Sequence, residues 1–285
     1  MGTGIEWTDE TWNAITGCTK ISPGCLNCYA GFDKVVCHPD TLEIPLRWKK
    51  PRMVFVNSMS DLFHKDVPGS FVMDVLAVIE KASRHTFQVL TKRPERMVDI
   101  LGGTSGAGLT APPLPNLWLG TSAENQEMAD QRIPHLLKVP AAKRFLSLEP
   151  LLGPVDLSPW VFGKAGYREG ESGGFAMPGR EPCCYMCGWR RSQHIVEQID
   201  VRIRTNLRCP SWGPIGWIII SCESGPKRRP CKLEWVKAIV EQCDAAGVPV
   251  FVKQIRDEKN RVVHGPHEWH RWPEWARQEF PKQDE

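Results

Sequence analysis

"GWIIISCESGP", residues 216–226, opens on an unbroken apolar run and closes on a burst of polar side chains. Residues 217–220 show no apolar–polar alternation, so both faces of the segment call for burial, as in a strand of a parallel sheet. Ser221, Cys222, Glu223 and Ser224 follow at the carboxyl end of that run. The same order recurs along the chain. "RMVFVNSMSDLF" (52–63) runs into Asn57, Ser58, Ser60 and Asp61, and "HTFQVLTKRPERM" (85–97) runs into Thr91, Lys92 and Arg93. "NLWLGTSAENQ" (116–126) leads to Thr121, Ser122, Glu124 and Asn125. "KRFLSLEPLLG" (143–153) leads to Ser147 and Glu149, and "VPVFVKQI" (248–255) to Lys253 and Gln254.

Helical patterns lie between several of these runs. "SFVMDVLAVIEKAS" (70–83) carries Phe71, Val72, Val75, Leu76, Val78 and Ile79 at helical spacing. "KLEWVKAIVEQCDAAG" (232–247) carries Leu233, Val236, Ile239, Val240 and Cys243 on one face, with Gly247 placed to end the helix. Strands alternating with helices imply right-handed βαβ crossovers. The polar bursts all follow their strands, which is the end where β/α barrels build their sites. Six such strands, with a short one near the N-terminus, give the expected fold: α/β, a partial (β/α)6-type TIM barrel. An open doubly wound sheet follows the same carboxyl-end rule and stays open as an alternative. Any one of Ser58, Asp61, Thr121 or Ser122 could equally be a helix cap.

Two stretches depart from the pattern: a Gly/Pro-rich loop at 101–116 and a long insertion at 160–216. The expected organisation is therefore residues 1–159 as the first part of the barrel, 160–216 as a cysteine-containing insertion, and 217–285 as the last strands, a helix and the tail.

The chemistry concentrates in "GCTKISPGCLNCYAG" (17–31), where Cys18, Cys25 and Cys28 are spaced C-x6-C-x2-C. A structural zinc ion wants four ligands, and three cysteines leave one position empty. A [4Fe–4S] cluster on three cysteines keeps one iron free for a ligand. Zinc completed from afar by Cys37 or His38, and three unrelated thiols, remain the other readings. A second group, Cys183, Cys184, Cys187 and Cys209, lies in the insertion and could hold zinc or a second Fe–S cluster, with His194 able to replace Cys183. Arg180, Arg190, Arg191, Arg202, Arg204 and Arg208 surround it with Trp189 and Trp212, a mixture that suits either nucleic acid or a solvated face.

Composition bounds the function. With 36 Lys and Arg against 33 Asp and Glu, the net charge of +3 does not by itself point to nucleic acid. No apolar stretch approaches the roughly 20 residues of a membrane span. The N-terminal "MGTGIEWTDETW" has no signal-peptide character, and Glu6 and Trp7 do not complete a myristoylation signal. Eleven cysteines without a signal peptide fit a reducing, cytoplasmic setting, where metal ligation or core packing is more expected than disulfides.

"IEWTDETWNAITGCTKISPGCLNCYA", "PRMVFVNSMSDLFH", "FQVLTKRPERM", "FLSLEPLLGP", "CESGPKRRP" and "VPVFVKQ" together resemble a phage- and bacteria-associated family of three-Cys-motif proteins. That family looks like a branch of the radical S-adenosylmethionine (SAM) enzymes, though the usual first spacing there is C-x3-C. The resemblance implies a cluster on Cys18, Cys25 and Cys28, with SAM on the free iron, cleaved by one electron to a 5′-deoxyadenosyl radical. It also implies an electron donor as partner. By strand order, Ser58, Ser60 and Asp61 would meet the methionine end of SAM, and Ser122, Glu124 and Asn125 its ribose. Glu149, Glu223 and Lys253 would remain for substrate binding or proton movement. The insertion leaves nucleic acid or a nucleotide open as substrate. The competing reading is a zinc-stabilised nucleic-acid-binding protein without radical chemistry.

Overall fold

The computed structural model describes residues 3–30, 34–102, 114–161, 215–225, 227–256, 261–265 and 272–281. Eight strands form one sheet. Its members are β1 (Glu10–Trp12), β4 (Met53–Val56), β5 (Thr86–Thr91), β6 (Leu117–Ser122), β7 (Lys143–Leu148), β8 (Trp217–Ser221), β9 (Val250–Arg256) and β10 (Val262–His264). They lie side by side in that order. Every pairing from β1 to β9 is parallel, and β10 closes the edge antiparallel to β9. A separate antiparallel pair joins β2 (Ile15–Thr16) to β3 (Val36–Cys37). The fold class is thus α/β with a mostly parallel sheet. The insertion does not interrupt it, because Phe145 of β7 pairs directly with Trp217 of β8.

The helices are α1 (Gly69–Lys81), α2 (Pro94–Leu101), α3 (Gln126–Leu136), the short α4 (Ser158–Val161) and α5 (Leu233–Ala246). Alternation along the strands sorts side chains onto two faces. Val54, Val56, Phe87, Val89, Leu117, Leu119, Leu146, Leu148, Ile218, Ile220, Val250 and Val252 pack in one core with the apolar stripes of α1, α2, α3 and α5. Among the described residues the helices therefore share one face, unlike a doubly wound sheet with helices on both. Gly247 takes the expected left-handed φ of 65° at the end of α5.

The other face carries a second cluster of Trp7, Phe55, Trp118, Phe145, Trp217, Ile219 and Phe251. Trp7 lies 4.6 Å from the Phe55 ring and 6.3 Å from the Trp217 ring. Those two rings belong to strands four places apart, which a flat sheet would separate by roughly 19 Å. The sheet is bent around Trp7. Aromatic contacts of this kind stabilise by about 0.5–1.5 kcal/mol per pair beyond their buried area. Gly120 makes the packing possible: a Cβ there would sit 2.6 Å from the Phe145 ring.

The structure moves some strand ends. Thr121, Ser122, Ser147, Lys253 and Gln254, expected just beyond their strands, lie within β6, β7 and β9. The cause is that the bent face turns polar toward the carboxyl end, so burial no longer marks where the strand stops. The helix cap also differs from expectation, since α3 is capped by Asn125, whose side chain accepts from Met128 N at 3.0 Å.

Candidate functional site

The cysteine segment leaves β2 at Gly17, whose left-handed φ of 81° turns the chain toward Ser60. A 3-10 turn over Pro23–Cys25 follows, and Cys28 N donates back to Cys25 O at 3.4 Å. Cys25 is buried, Cys18 half-buried and Cys28 exposed, and all three are free thiols. Three carboxylates, from the ends of β4, β6 and β8, hold this segment.

Asp61 works through Arg93. The Arg93 guanidinium donates to Asp61 Oδ2 at 2.9 Å, to Thr19 O and Thr19 Oγ1 at 3.0 Å each, and toward Cys18 Sγ at 3.7 Å. Thr91 Oγ1 and Lys92 N also donate to Asp61, at 2.7 and 3.1 Å. His64 adds to the same corner. Its Nδ1 accepts from Asp66 N, which leaves the proton on Nε2 to donate to Thr19 Oγ1 at 2.8 Å.

Glu124 reaches the turn directly. Gly24 N donates to Glu124 Oε1 at 3.0 Å, and Arg132 donates to Glu124 Oε2 at 2.8 Å and to Ser122 O at 2.9 Å. A Cβ on Gly24 would stand 2.9 Å from Glu124 Cδ and Oε1, so any other residue there would force the turn or the carboxylate to move. Burial opposes the charge on Glu124, but Arg132 and Lys92 outweigh it and hold the carboxyl below its ordinary range.

Glu223 grips the far side. Asn27 Nδ2 donates to it at 3.1 Å and to Lys227 O at 2.8 Å. Arg229 pairs with both Glu223 oxygens and reaches Pro23 O at 2.8 Å. Burial is again overcome, here by hydrogen bonds from Arg229 and Asn27, and the Glu223 carboxyl lies below its usual value.

The thiols differ accordingly. Burial pushes Cys18 up more strongly than Arg93 pulls it down. For Cys25 burial is outweighed by hydrogen bonding from Ile21 and Ser22 and by Lys92, so its thiol lies below the ordinary value. Two further charged groups act on the loop: Lys92, which lowers the pKa of Cys25 and whose Nζ donates to Ser122 Oγ at 3.1 Å, and Glu149, which adds to burial in raising that of Tyr29 and pairs with Lys253 at 2.7 Å.

The structure thus brings Asp61, Glu124 and Glu223 onto the cysteine segment and leaves Glu149, paired with Lys253, near enough to add to burial in raising the pKa of the Tyr29 hydroxyl. Ser58 and Ser60 tie the end of β4 to the N-terminal segment, through Asn13 Oδ1 at 3.2 Å and Ile15 O at 2.8 Å. Asn125 serves its helix. Arg93, Arg132, Arg229, Asn27 and Gly24 are the site residues that sequence reasoning missed. Arg93 stood in a strand-end burst, and Arg229 in "CESGPKRRP", but nothing in either stretch names the carboxylate it meets. His38 bonds to Thr16 Oγ1 at 2.8 Å. Among the described residues no three His, Cys, Asp or Glu side chains are gathered to hold a metal ion. The loop as it stands does not form a closed single-ion site. Cys183, Cys184, Cys187, Cys209 and the arginines around them lie outside the described residues. So does most of the 160–216 insertion.

A protein-family model described as "Protein of unknown function (DUF5131)" matches residues 2–34 and 31–271. The chain belongs to the DUF5131 family. Its match runs through the cysteine segment and every parallel strand of the sheet. No curated protein matches this DUF5131 member, and no solved structure does. No helix among the described residues is long and apolar enough to cross a membrane.

Proposed function

We propose that this DUF5131 protein is a radical SAM enzyme, and we read its bent parallel sheet as a partial (β/α)6 barrel. One observation carries the reading: three free cysteines sit on one loop at the carboxyl end of the sheet, and three strand-end carboxylates hold that loop in place.

The donor set suits a [4Fe–4S] cluster. Three thiols, with no fourth ligand beside them among the described residues, would leave one iron open, and the Cys25 thiol lies below its ordinary range. Bound there, the cluster would supply the electron that cleaves SAM into methionine and a 5′-deoxyadenosyl radical. The chain's own residues do the rest. Asp61 with Arg93, Glu124 with Arg132, and Glu223 with Arg229 fix the loop. Since these three carboxylates are committed to protein partners, they act in the proposal as positioning groups. Lys92 and Ser122 present an ammonium and a hydroxyl to a polar ligand. To the Glu149–Lys253 ion pair the proposal assigns substrate binding or proton movement.

The test is chromatographic. Anaerobically reconstituted protein, reduced with dithionite and given SAM, should release 5′-deoxyadenosine, and Cys25→Ala should release none. Equal release from both proteins would remove the loop from the reaction. No release from wild-type protein that holds iron would overturn the assignment.

A further inference from the structure

We infer that Arg93 is the positioning residue that fixes the sulfur of Cys18 and raises the reduction potential of the cluster bound there. This rests on reading the cysteine loop as a cluster site.

The three thiols do not share one environment. Cys25 has its hydrogen-bond partners within its own turn, including Ser22 Oγ at 3.7 Å, and feels Lys92 through charge, while Cys28 is exposed. Cys18 is approached by a side chain from another element, the guanidinium at the end of β5. That guanidinium is itself buried, with Arg93 7% exposed and Asp61 5%. Both terminal nitrogens of its planar fork are used: one serves Asp61 and Cys18, the other serves both Thr19 oxygens. Arg93 N is held in turn by Thr91 Oγ1 at 2.8 Å, so the fork's root is fixed as well as its tip.

The chemistry follows from charge. One-electron reduction by a low-potential donor adds a negative charge to the cluster, and the cysteine sulfurs carry part of it. A cation that presents an N–H to one of those sulfurs stabilises the reduced state over the oxidised one, because hydrogen bonding to the sulfurs is a main control of such potentials. Burial strengthens the effect by lowering the local dielectric. Lysine could neutralise Asp61, but it lacks the second nitrogen needed to serve Thr19 and Cys18 together.

Midpoint potentials of reconstituted wild-type, Arg93→Lys and Arg93→Gln proteins, measured by EPR-monitored redox titration, test this. Iron per chain and thermal melting are recorded alongside. Arg93→Lys should hold the wild-type iron at a lower potential, and Arg93→Gln, which also releases the Thr19 anchor, should hold less iron and show a still lower potential in the cluster that remains. Arg93→Lys keeps the charge opposite buried Asp61, so it decides the matter should Arg93→Gln fail to fold. Unchanged potentials with iron retained would overturn the role assigned to Arg93. So would loss of iron from a folded Arg93→Lys protein, since that would restrict the residue to placing the loop. Wild-type protein that takes up no cluster would instead overturn the underlying reading of the loop, and this inference with it.

Discussion

Gly24 shows how far one atom can matter at this site. A Cβ on Gly24 would stand 2.9 Å from the Glu124 carboxylate, so Gly24→Ala must displace the 3-10 turn or the Glu124 side chain and break their hydrogen bond. We expect a loss of about 1–3 kcal/mol, in the range of other overpacking changes. Iron retention should fall with it, as read by iron analysis after reconstitution and desalting. A variant with wild-type melting and wild-type iron would show that Glu124 does not hold the loop. His64 offers a second residue-scale test. Burial and the neighbouring Arg93 cation hold its pKa below the ordinary 6.5. The unfolded chain therefore takes up the proton first, and stability is present above pH 6.5 and lost as pH falls below it. Glu124 and Glu223, also depressed, add a further loss below about pH 4.5. Between pH 7.5 and 5.5, thermal melts of wild-type protein should drop more than those of His64→Gln. Parallel drops would place the sensitivity elsewhere.

At the scale of the elements, the apolar runs at 53–56, 117–119, 145–146 and 217–220 were legible as strands because a strand buried on both faces leaves no alternation to hide it. The helices at 70–83 and 232–247 were legible from their stripes. The short β2 and β3 and the antiparallel β10 were not, since two or three residues carry no period. Nor was the choice of partner at each strand end. The sequence shows Asp61, Glu124 and Glu223 as polar residues after strands. That they turn toward one loop depends on contacts spanning 100 residues between Gly24 and Glu124, and 196 between Asn27 and Glu223. Gly120 belongs to this scale too. It reads as an ordinary residue in a strand, yet the Phe145 ring covers it. Gly120→Ala should cost about 1–3 kcal/mol in chemical denaturation, and Phe145→Leu in the same protein should recover part of that loss. Full additivity of the two changes would mean that the ring and the glycine do not share the space.

Taken whole, the molecule divides its strand ends between two tasks. Carboxylates after β4, β6 and β8 grip the cysteine segment, whereas Lys92, Glu149 and Lys253, in or after the alternate strands β5, β7 and β9, pair with groups other than the segment. A loop pinned by three buried or half-buried ion pairs is preorganised to keep its thiols in place through a reaction. The central claim is that those thiols carry an iron–sulfur cluster with SAM at its open iron. The most direct measurement is the EPR spectrum of anaerobically prepared, dithionite-reduced protein, recorded with and without SAM and compared with Cys18→Ala. Wild-type protein should show a [4Fe–4S]⁺ signal that changes when SAM is added and is lost or insensitive to SAM in the variant. A wild-type protein that shows no such signal after reconstitution, or whose signal ignores both SAM and the loss of Cys18, would contradict it.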